Sequence, residues 1–138
     1  MKWIAATDSG LIPASHEDPR APGVLKRVIA TRNAFQQGHV QMLNWAVLPG
    51  HSSFQRHFHQ DMQEVFILLS GEVEMQVATE CRVLRPGDTV IVDPGEIHQM
   101  RNLQASEAQY LVFGISSGQG GQTIVVGPDK SHASDTRS

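Results

Sequence analysis

Three side chains between residues 50 and 71 could bind a metal ion together. His57 and His59 are separated by one residue, and Glu64 follows after four more. Because side chains along a β-strand alternate between its faces, the two imidazoles point the same way. The turn-forming residues 60–61 let the chain bend before Glu64 opens an apolar run. Two imidazoles and a carboxylate on adjacent strands are typical ligands of a divalent transition metal.

A fourth ligand is predicted at His98, because such an incomplete shell needs one more nitrogen. His98 stands three residues after the Pro94–Gly95 turn signal, at the start of a predicted strand. Strand alternation would place Met100 and Asn102 on the same side as His98. A shell of three histidines and one glutamate permits Mn, Fe, Co, Ni, Cu or Zn, and ligand type alone does not choose among them.

The other residues with metal-binding or redox chemistry are interpreted as structural. We expect a small buried strand residue at Cys81 and a turn-bracing role for Asn102. The remaining histidines stand in polar or turn segments and are predicted to lie at the surface: His16, His39, His51 and His132.

Composition favours one globular domain. The chain has 138 residues, 40% of them hydrophobic and 18% charged, with a net charge of -3. No basic block could follow a phosphate backbone, so no nucleic-acid partner is expected. No apolar run approaches the length of a membrane span or a secretory signal. The single cysteine cannot form an internal disulfide, and we expect a cytoplasmic protein.

Short predicted strands separated by turn signals organise the chain. No window shows an apolar stripe at helical spacing, so the pattern predicts an all-β sandwich or barrel in one domain. We interpret residues 1–23 as an N-terminal arm with a short strand near residues 3–4, 24–127 as the barrel and 128–138 as a flexible tail. The predicted strands are 24–31, 39–48, 64–69, 73–77, 81–84, 89–92, 97–102, 108–115 and 123–126, and residues 51–59 are predicted as a polar strand or a loop that leads into a strand.

Both halves of the predicted metal site resemble the two sequence motifs of the cupin superfamily. The first motif is a glycine, a short spacer, His-x-His, a glutamate and a second glycine, and here it consists of Gly50, His57, His59, Glu64 and Gly71. The second is a glycine, Pro-x-Gly, a histidine and an asparagine, and here it comprises Gly87, residues 93–95, His98 and Asn102. The spacer after Gly50 has six residues, one more than the usual five, and Asp93 replaces the usual proline. Both departures fall at turns and remove no ligand.

The resemblance implies a single-domain jelly-roll β-barrel (a double-stranded β-helix) that holds one divalent metal through His57, His59, Glu64 and His98. It also implies a small-molecule ligand or substrate. We favour a metalloenzyme, and two reaction types stay open: a dioxygenase, or an isomerase, lyase or cyclase acting on a sugar-like or carbonyl substrate. The second type needs a proton carrier, for which Glu64 itself, Tyr110 and Glu96 are the candidates. The alternative is a non-enzymatic module that binds a small molecule such as a sugar.

The strand that carries Glu64 also predicts a partner subunit. If Glu64 points into the barrel, the apolar side chains of Val65, Ile67 and Leu69 point out of it. A strand that is apolar on both faces needs cover on both faces. We therefore predict a homodimer.

Overall fold

Eleven strands make up about half of the described chain. The computed structural model describes residues 2, 4–35, 39–118 and 122–127. Within these residues the only helices are two 3-10 turns, Ala6–Asp8 and Arg32–Ala34, and no helix is long and apolar enough to span a bilayer. The strands are β1 (Ile12–Pro13), β2 (Leu25–Thr31), β3 (Val40–Leu48), β4 (His57–His59), β5 (Gln63–Ser70), β6 (Val73–Val77), β7 (Glu80–Leu84), β8 (Thr89–Val92), β9 (His98–Arg101), β10 (Ala108–Ile115) and β11 (Thr123–Val125).

The strands form two antiparallel sheets that enclose one core, as in a jelly-roll barrel. The first sheet has the order β1-β2-β3-β10-β5-β8, and the second has the order β11-β4-β9-β6-β7. The predicted all-β, single-domain fold is confirmed. The chain crosses repeatedly between the two sheets, so β4 pairs with β9 and β5 pairs with β8, and these pairings bring the two motif segments together.

The core lies between the sheets and follows the period of two that the sequence predicts. On β5, Glu64, Phe66 and Leu68 are buried, whereas Val65 and Ile67 are only partly buried. The largest fully buried apolar side chains elsewhere come from β3, β9 and the segment before β4: Leu48, Met100 and Phe54. The inner face is therefore largely apolar, and buried polar side chains such as His57, His59, Glu64 and His98 enter it at a few positions.

Two motif glycines supply turn conformations that other residues disfavour. Gly71 ends β5 with a φ of 87°, and Gly87 precedes β8 with a φ of 93°. A Cβ atom at position 71 would also lie 2.9 Å from the Cα atom of Ala108, at the start of β10. Both glycines therefore let a strand reverse within a few residues and return to the opposite sheet.

Three local predictions differ from the structure. Of the predicted strand 51–59, only β4 is regular, although Ser53 makes one isolated bridge to Arg101. The prediction that Cys81 is buried is wrong: it is exposed, because β7 is an edge strand on which only Leu84 is buried. Ile4 lies outside any strand, and Trp3 and the tail 128–138 fall outside the described residues.

The N-terminal segment contacts the barrel at several places along its length. The carbonyl oxygen of Ala6 accepts a hydrogen bond from the guanidinium group of Arg27, on β2 of the first sheet, at 3.0 Å. After β1 pairs with β2, the chain turns inward, and Ala14 is buried in the core cluster. Glu17 is also buried, and its carboxylate accepts a hydrogen bond from the backbone N–H of Gln55 at 3.1 Å. This contact ties the segment to the loop that leads into β4.

Candidate metal centre

Two histidines enter the barrel from the short strand β4. Strand alternation turns His57 and His59 to the same inner face, where they are only 2% and 7% exposed. Phe58, between them, is partly buried. β4 has only three residues, but it is held on both sides, because β11 pairs along one edge and β9 along the other.

The third histidine stands directly opposite the first on the neighbouring strand. His98 opens β9 and is the register partner of His57, so their ring centroids lie 4.4 Å apart. Met100 and Asn102 are buried with it, and Gln99 and Arg101 are only partly buried, which agrees with the predicted alternation. The second-motif turn also bonds to β4, because the N–H of Gly95 donates to the carbonyl oxygen of His59 at 2.7 Å.

Glu64 reaches the three histidines from the opposite sheet. Its Oε1 atom lies 2.8 Å from Nε2 of His59 and 3.0 Å from Nε2 of His98. The ligand atoms of Glu64 and the three histidines all lie within 4.8 Å of one another, and all four residues are buried. The structure thus brings together the four predicted residues in a cluster that could hold a metal ion.

Hydrogen bonds at the outer nitrogens, Nδ1 of His57 and of His98, turn the inner nitrogens, Nε2 of each ring, toward this cluster. Nδ1 of His57 lies 2.6 Å from the carbonyl oxygen of Gln55, and Nδ1 of His98 lies 3.0 Å from that of Glu96. A carbonyl oxygen only accepts, so each Nδ1 carries a proton and donates. Nε2 of each ring then keeps its lone pair in the neutral tautomer, which is the form that binds a metal.

The charge states also suit a metal. Burial lowers the pKa of His57 to about 3, so this ring is neutral at physiological pH. Burial by itself would raise the pKa of Glu64, but its interactions with the adjacent His59 and His98 side chains outweigh this effect, and the pKa lies below its usual range. Neutral imidazole and ionised carboxylate are the donor forms that a divalent transition metal requires. The residues present therefore fit such an ion.

A cavity of about 290 Å³ opens beside the cluster. Its walls are mostly apolar, and a few polar groups line it, as in small-molecule sites. Tyr110 is one of these lining residues, and burial raises its pKa above its ordinary value. Its phenol therefore stays protonated and can donate a hydrogen bond but cannot serve as a base at neutral pH.

His16 belongs to this site, and its predicted surface position is wrong. It lines the cavity, and its ring centroid lies 4.3 Å from that of His57. Burial lowers its pKa to about 4, and its Nε2 atom has no hydrogen-bond partner among the described residues. The sequence holds no signal for this placement, because His16 lies in an irregular segment with no period, far from both motifs.

Glu96 does not face the cavity and is therefore removed from the candidate proton carriers. Its carboxylate accepts a hydrogen bond from the N–H of Asp93 at 2.8 Å, and it lines a separate cavity between β7 and β8.

The sequence also gives no indication of Thr123, whose Oγ1 atom lies 3.1 Å from Nδ1 of His59. Thr123 reaches His59 only because β11 pairs with β4.

Solved structures with the same fold carry several different activities. A predicted oxalate decarboxylase from Thermotoga maritima is 20% identical, with a TM-score of 0.73 over 83% of this chain and 99% of that one. A sugar phosphate isomerase of the cupin superfamily from Silicibacter pomeroyi is 17% identical, with a TM-score of 0.73 over 93% and 83%. The polyketide cyclase RemF from Streptomyces resistomycificus is 16% identical, with a TM-score of 0.71 over 98% and 93%. At these identities the likeness shows the fold alone.

Sequence comparison identifies the family. No curated protein gives a significant match to this chain. The model of the Cupin domain family matches residues 44–114, which run from β3 to β10 and include both motifs and all four residues of the cluster. The chain therefore belongs to the Cupin domain family.

Proposed function

We propose that this protein is a metal-dependent enzyme that acts on a small organic molecule, with a divalent transition metal bound by His57, His59, Glu64 and His98. The observation that carries the proposal is the convergence of these four buried donor groups within 4.8 Å, beside a cavity of about 290 Å³. A cavity of this size lies near the lower end of the range for small-molecule sites in proteins.

The bound ion would polarise a carbonyl or hydroxyl oxygen of the substrate. The chain's own residues hold the ligand nitrogens in place, because the carbonyl oxygens of Gln55 and Glu96 fix the outer nitrogens of His57 and His98. Phe54 and Phe66 pack against His98 and close the apolar side of the site. These rings keep water away from the cluster, which strengthens electrostatic interactions within it.

Of the two reaction types, we favour a non-oxidative isomerase, lyase or cyclase. Such a reaction needs a proton carrier, and His16 offers a neutral imidazole with an unpartnered buried Nε2 atom in the cavity wall. The protonated phenol of Tyr110 could donate a hydrogen bond to the same substrate. The isomerase and cyclase among the similar structures support this direction.

The metal site is tested by elemental analysis of protein purified without added metal, followed by titration with Mn, Fe(II), Co, Ni, Cu and Zn. We expect close to one ion per chain. His57→Ala should lower metal affinity by more than the roughly 10- to 100-fold that a supporting residue contributes, because it removes a direct ligand. Circular dichroism should show that the fold is kept, since the core is otherwise apolar.

His39→Ala is the matched control, because His39 is exposed and lies outside the cluster. It should bind metal like the unaltered protein. Failure of the unaltered protein to bind any of these ions would contradict the metal site. Equal affinity of the two alanine variants would remove His57 from it.

Reaction type is separated by assaying the metal-loaded protein on a panel of hydroxy acids, keto acids and sugars, with and without oxygen. Turnover without oxygen supports the non-oxidative reaction. Oxygen uptake coupled to substrate loss would instead identify a dioxygenase. Binding of a panel member without turnover under either condition would favour the alternative, a non-enzymatic binding module.

A further inference from the structure

One cationic side chain enters the cavity beside the metal cluster. Lys26 is the single lysine or arginine among the described residues that line it, and Glu64 is the single carboxylate. The position follows from strand pairing: Lys26 on β2 is the register partner of Ala46 on β3, whose side chain is buried between the sheets at 2% exposure. Partners in register share a face, so Lys26 also points inward.

Lys26 is held in this cavity without a compensating carboxylate. Burial lowers its pKa, and no described acidic group contributes an opposing shift. Its charge also helps to lower the pKa of His16, after the larger effect of burial. The His16 ring packs on the ring of His57. Lys26 and the metal cluster therefore act on the same cavity.

A buried amide without adequate partners lines the same space. Asn44 is 7% exposed and lies on the inner face of β3, two residues from Ala46. Its Oδ1 atom has no hydrogen-bond partner among the described residues, and its Nδ2 atom donates to the Met42 sulfur at 3.6 Å. A buried amide in this condition costs free energy unless a ligand satisfies it.

We propose that the substrate is a small hydroxy acid whose carboxylate pairs with Lys26 and whose hydroxyl group donates a hydrogen bond to Oδ1 of Asn44, an inference that rests on the proposed metal site. With a divalent ion in place, the charges of the ion and Lys26 exceed the single negative charge of Glu64. The cavity then carries net positive charge in a poorly solvated space, which favours an anion over a neutral molecule of the same shape.

Lactate and lactamide provide the test, because they have nearly the same shape and differ in charge. The full chain is first loaded with Co(II) and its metal content measured. Each probe is then titrated while the visible absorption of the Co(II) ion is followed, which reports binding at the metal without any activity assay. We expect lactate to bind at least about 10-fold more tightly than lactamide, the range expected for a hydrogen bond to a charged group.

Lys26→Met should remove most of this preference, and Lys26→Arg should keep it. Lys2→Met is the matched control, because Lys2 is exposed, and it should retain the full preference. All three variants should keep their affinity for Co(II), because Lys26 is not a ligand. If Lys26→Met fails to fold, Lys26→Gln provides the neutral side chain instead, because the preference of the unaltered protein also includes attraction of the carboxylate to the ion.

Two results would overturn the inference while leaving the metal site intact. One is Co(II)-loaded protein that binds lactate no better than lactamide, or binds neither. The other is an unchanged preference in Lys26→Met. A protein that takes up no Co(II) would overturn the inference together with the proposed function.

Discussion

Each histidine of the centre is positioned by a partner at its outer nitrogen. For His57 and His98 the partners are backbone carbonyl oxygens, which no side-chain substitution can remove directly. For His59 the partner is the hydroxyl group of Thr123, 3.1 Å from Nδ1. His59 is therefore the ligand whose orientation can be tested by a single substitution outside the shell.

Thr123→Val should weaken metal binding by about 10-fold, because partners of ligand histidines typically contribute roughly 10- to 100-fold in affinity. Valine keeps the branched shape and the strand preference of threonine, so β11 should still pair with β4. Competition with a chelator of known affinity measures the change. Thr7→Val, at an exposed position, is the control and should have no effect. Equal metal affinity in the two variants would show that the hydroxyl does not orient His59.

The ligand-bearing elements are short, and their positions depend on the loops beside them. β4 has three residues and β9 has four. Asn102, immediately after β9, is 1% exposed and braces one such loop, as predicted. Its amide nitrogen donates to the carbonyl oxygens of Leu48, Pro49 and Ser106, at 3.1, 3.2 and 2.8 Å. This one side chain therefore connects the end of β3, the end of β9 and the start of β10.

Asn102→Ala should lower the free energy of unfolding by about 2–4 kcal/mol, because it leaves buried carbonyl groups without a donor. Chemical denaturation with and without metal measures the loss. Asn33→Ala is the matched control, since Asn33 is exposed in the second 3-10 turn, and its effect should stay within about 0.5 kcal/mol. A variant at position 102 that is as stable as the one at position 33 would contradict the bracing role.

Across the whole molecule, the outer face of the first sheet carries an apolar row. Val65 on β5 has Phe113 on β10 and Ile91 on β8 as register partners. Val65 and Phe113 are only partly buried, and Ile91 is 56% exposed. The N-terminal segment contacts this sheet near Arg27 on β2, four strands away from β8. This contact of the N-terminal segment therefore lies near the edge of the sheet opposite to the edge that carries Ile91.

We propose that a second copy of the chain covers this row in a homodimer. Ile91→Glu should shift the protein toward monomer, because burial of an unpaired charge in the interface would cost about 3 kcal/mol or more, roughly 100-fold in affinity. Light scattering at micromolar concentration measures the change. Val83→Glu, which alters a 46% exposed residue on the other sheet, should leave the dimer intact. A monomeric unaltered chain with its N-terminal segment intact would contradict the proposal.

The sequence alone was sufficient to predict the barrel and the cluster His57, His59, Glu64 and His98. Strand alternation is a local property, so it assigns side chains to a face wherever a strand is regular. The spacing of the two motifs, read through the family resemblance, supplied the pairing between distant segments. The burial of Glu64, Phe66 and Leu68 confirms the same reasoning on β5.

Tertiary structure decided the residues that surround the cluster. His16 lies in an irregular segment, and Thr123 and Lys26 reach the site only through the pairing of β11 with β4 and of β2 with β3. Cys81 was misplaced for a related reason: exposure on β7 depends on which strand lies at the edge of its sheet. Local periodicity thus determines which way a side chain points, whereas only the order of strands in the sheets determines what it meets.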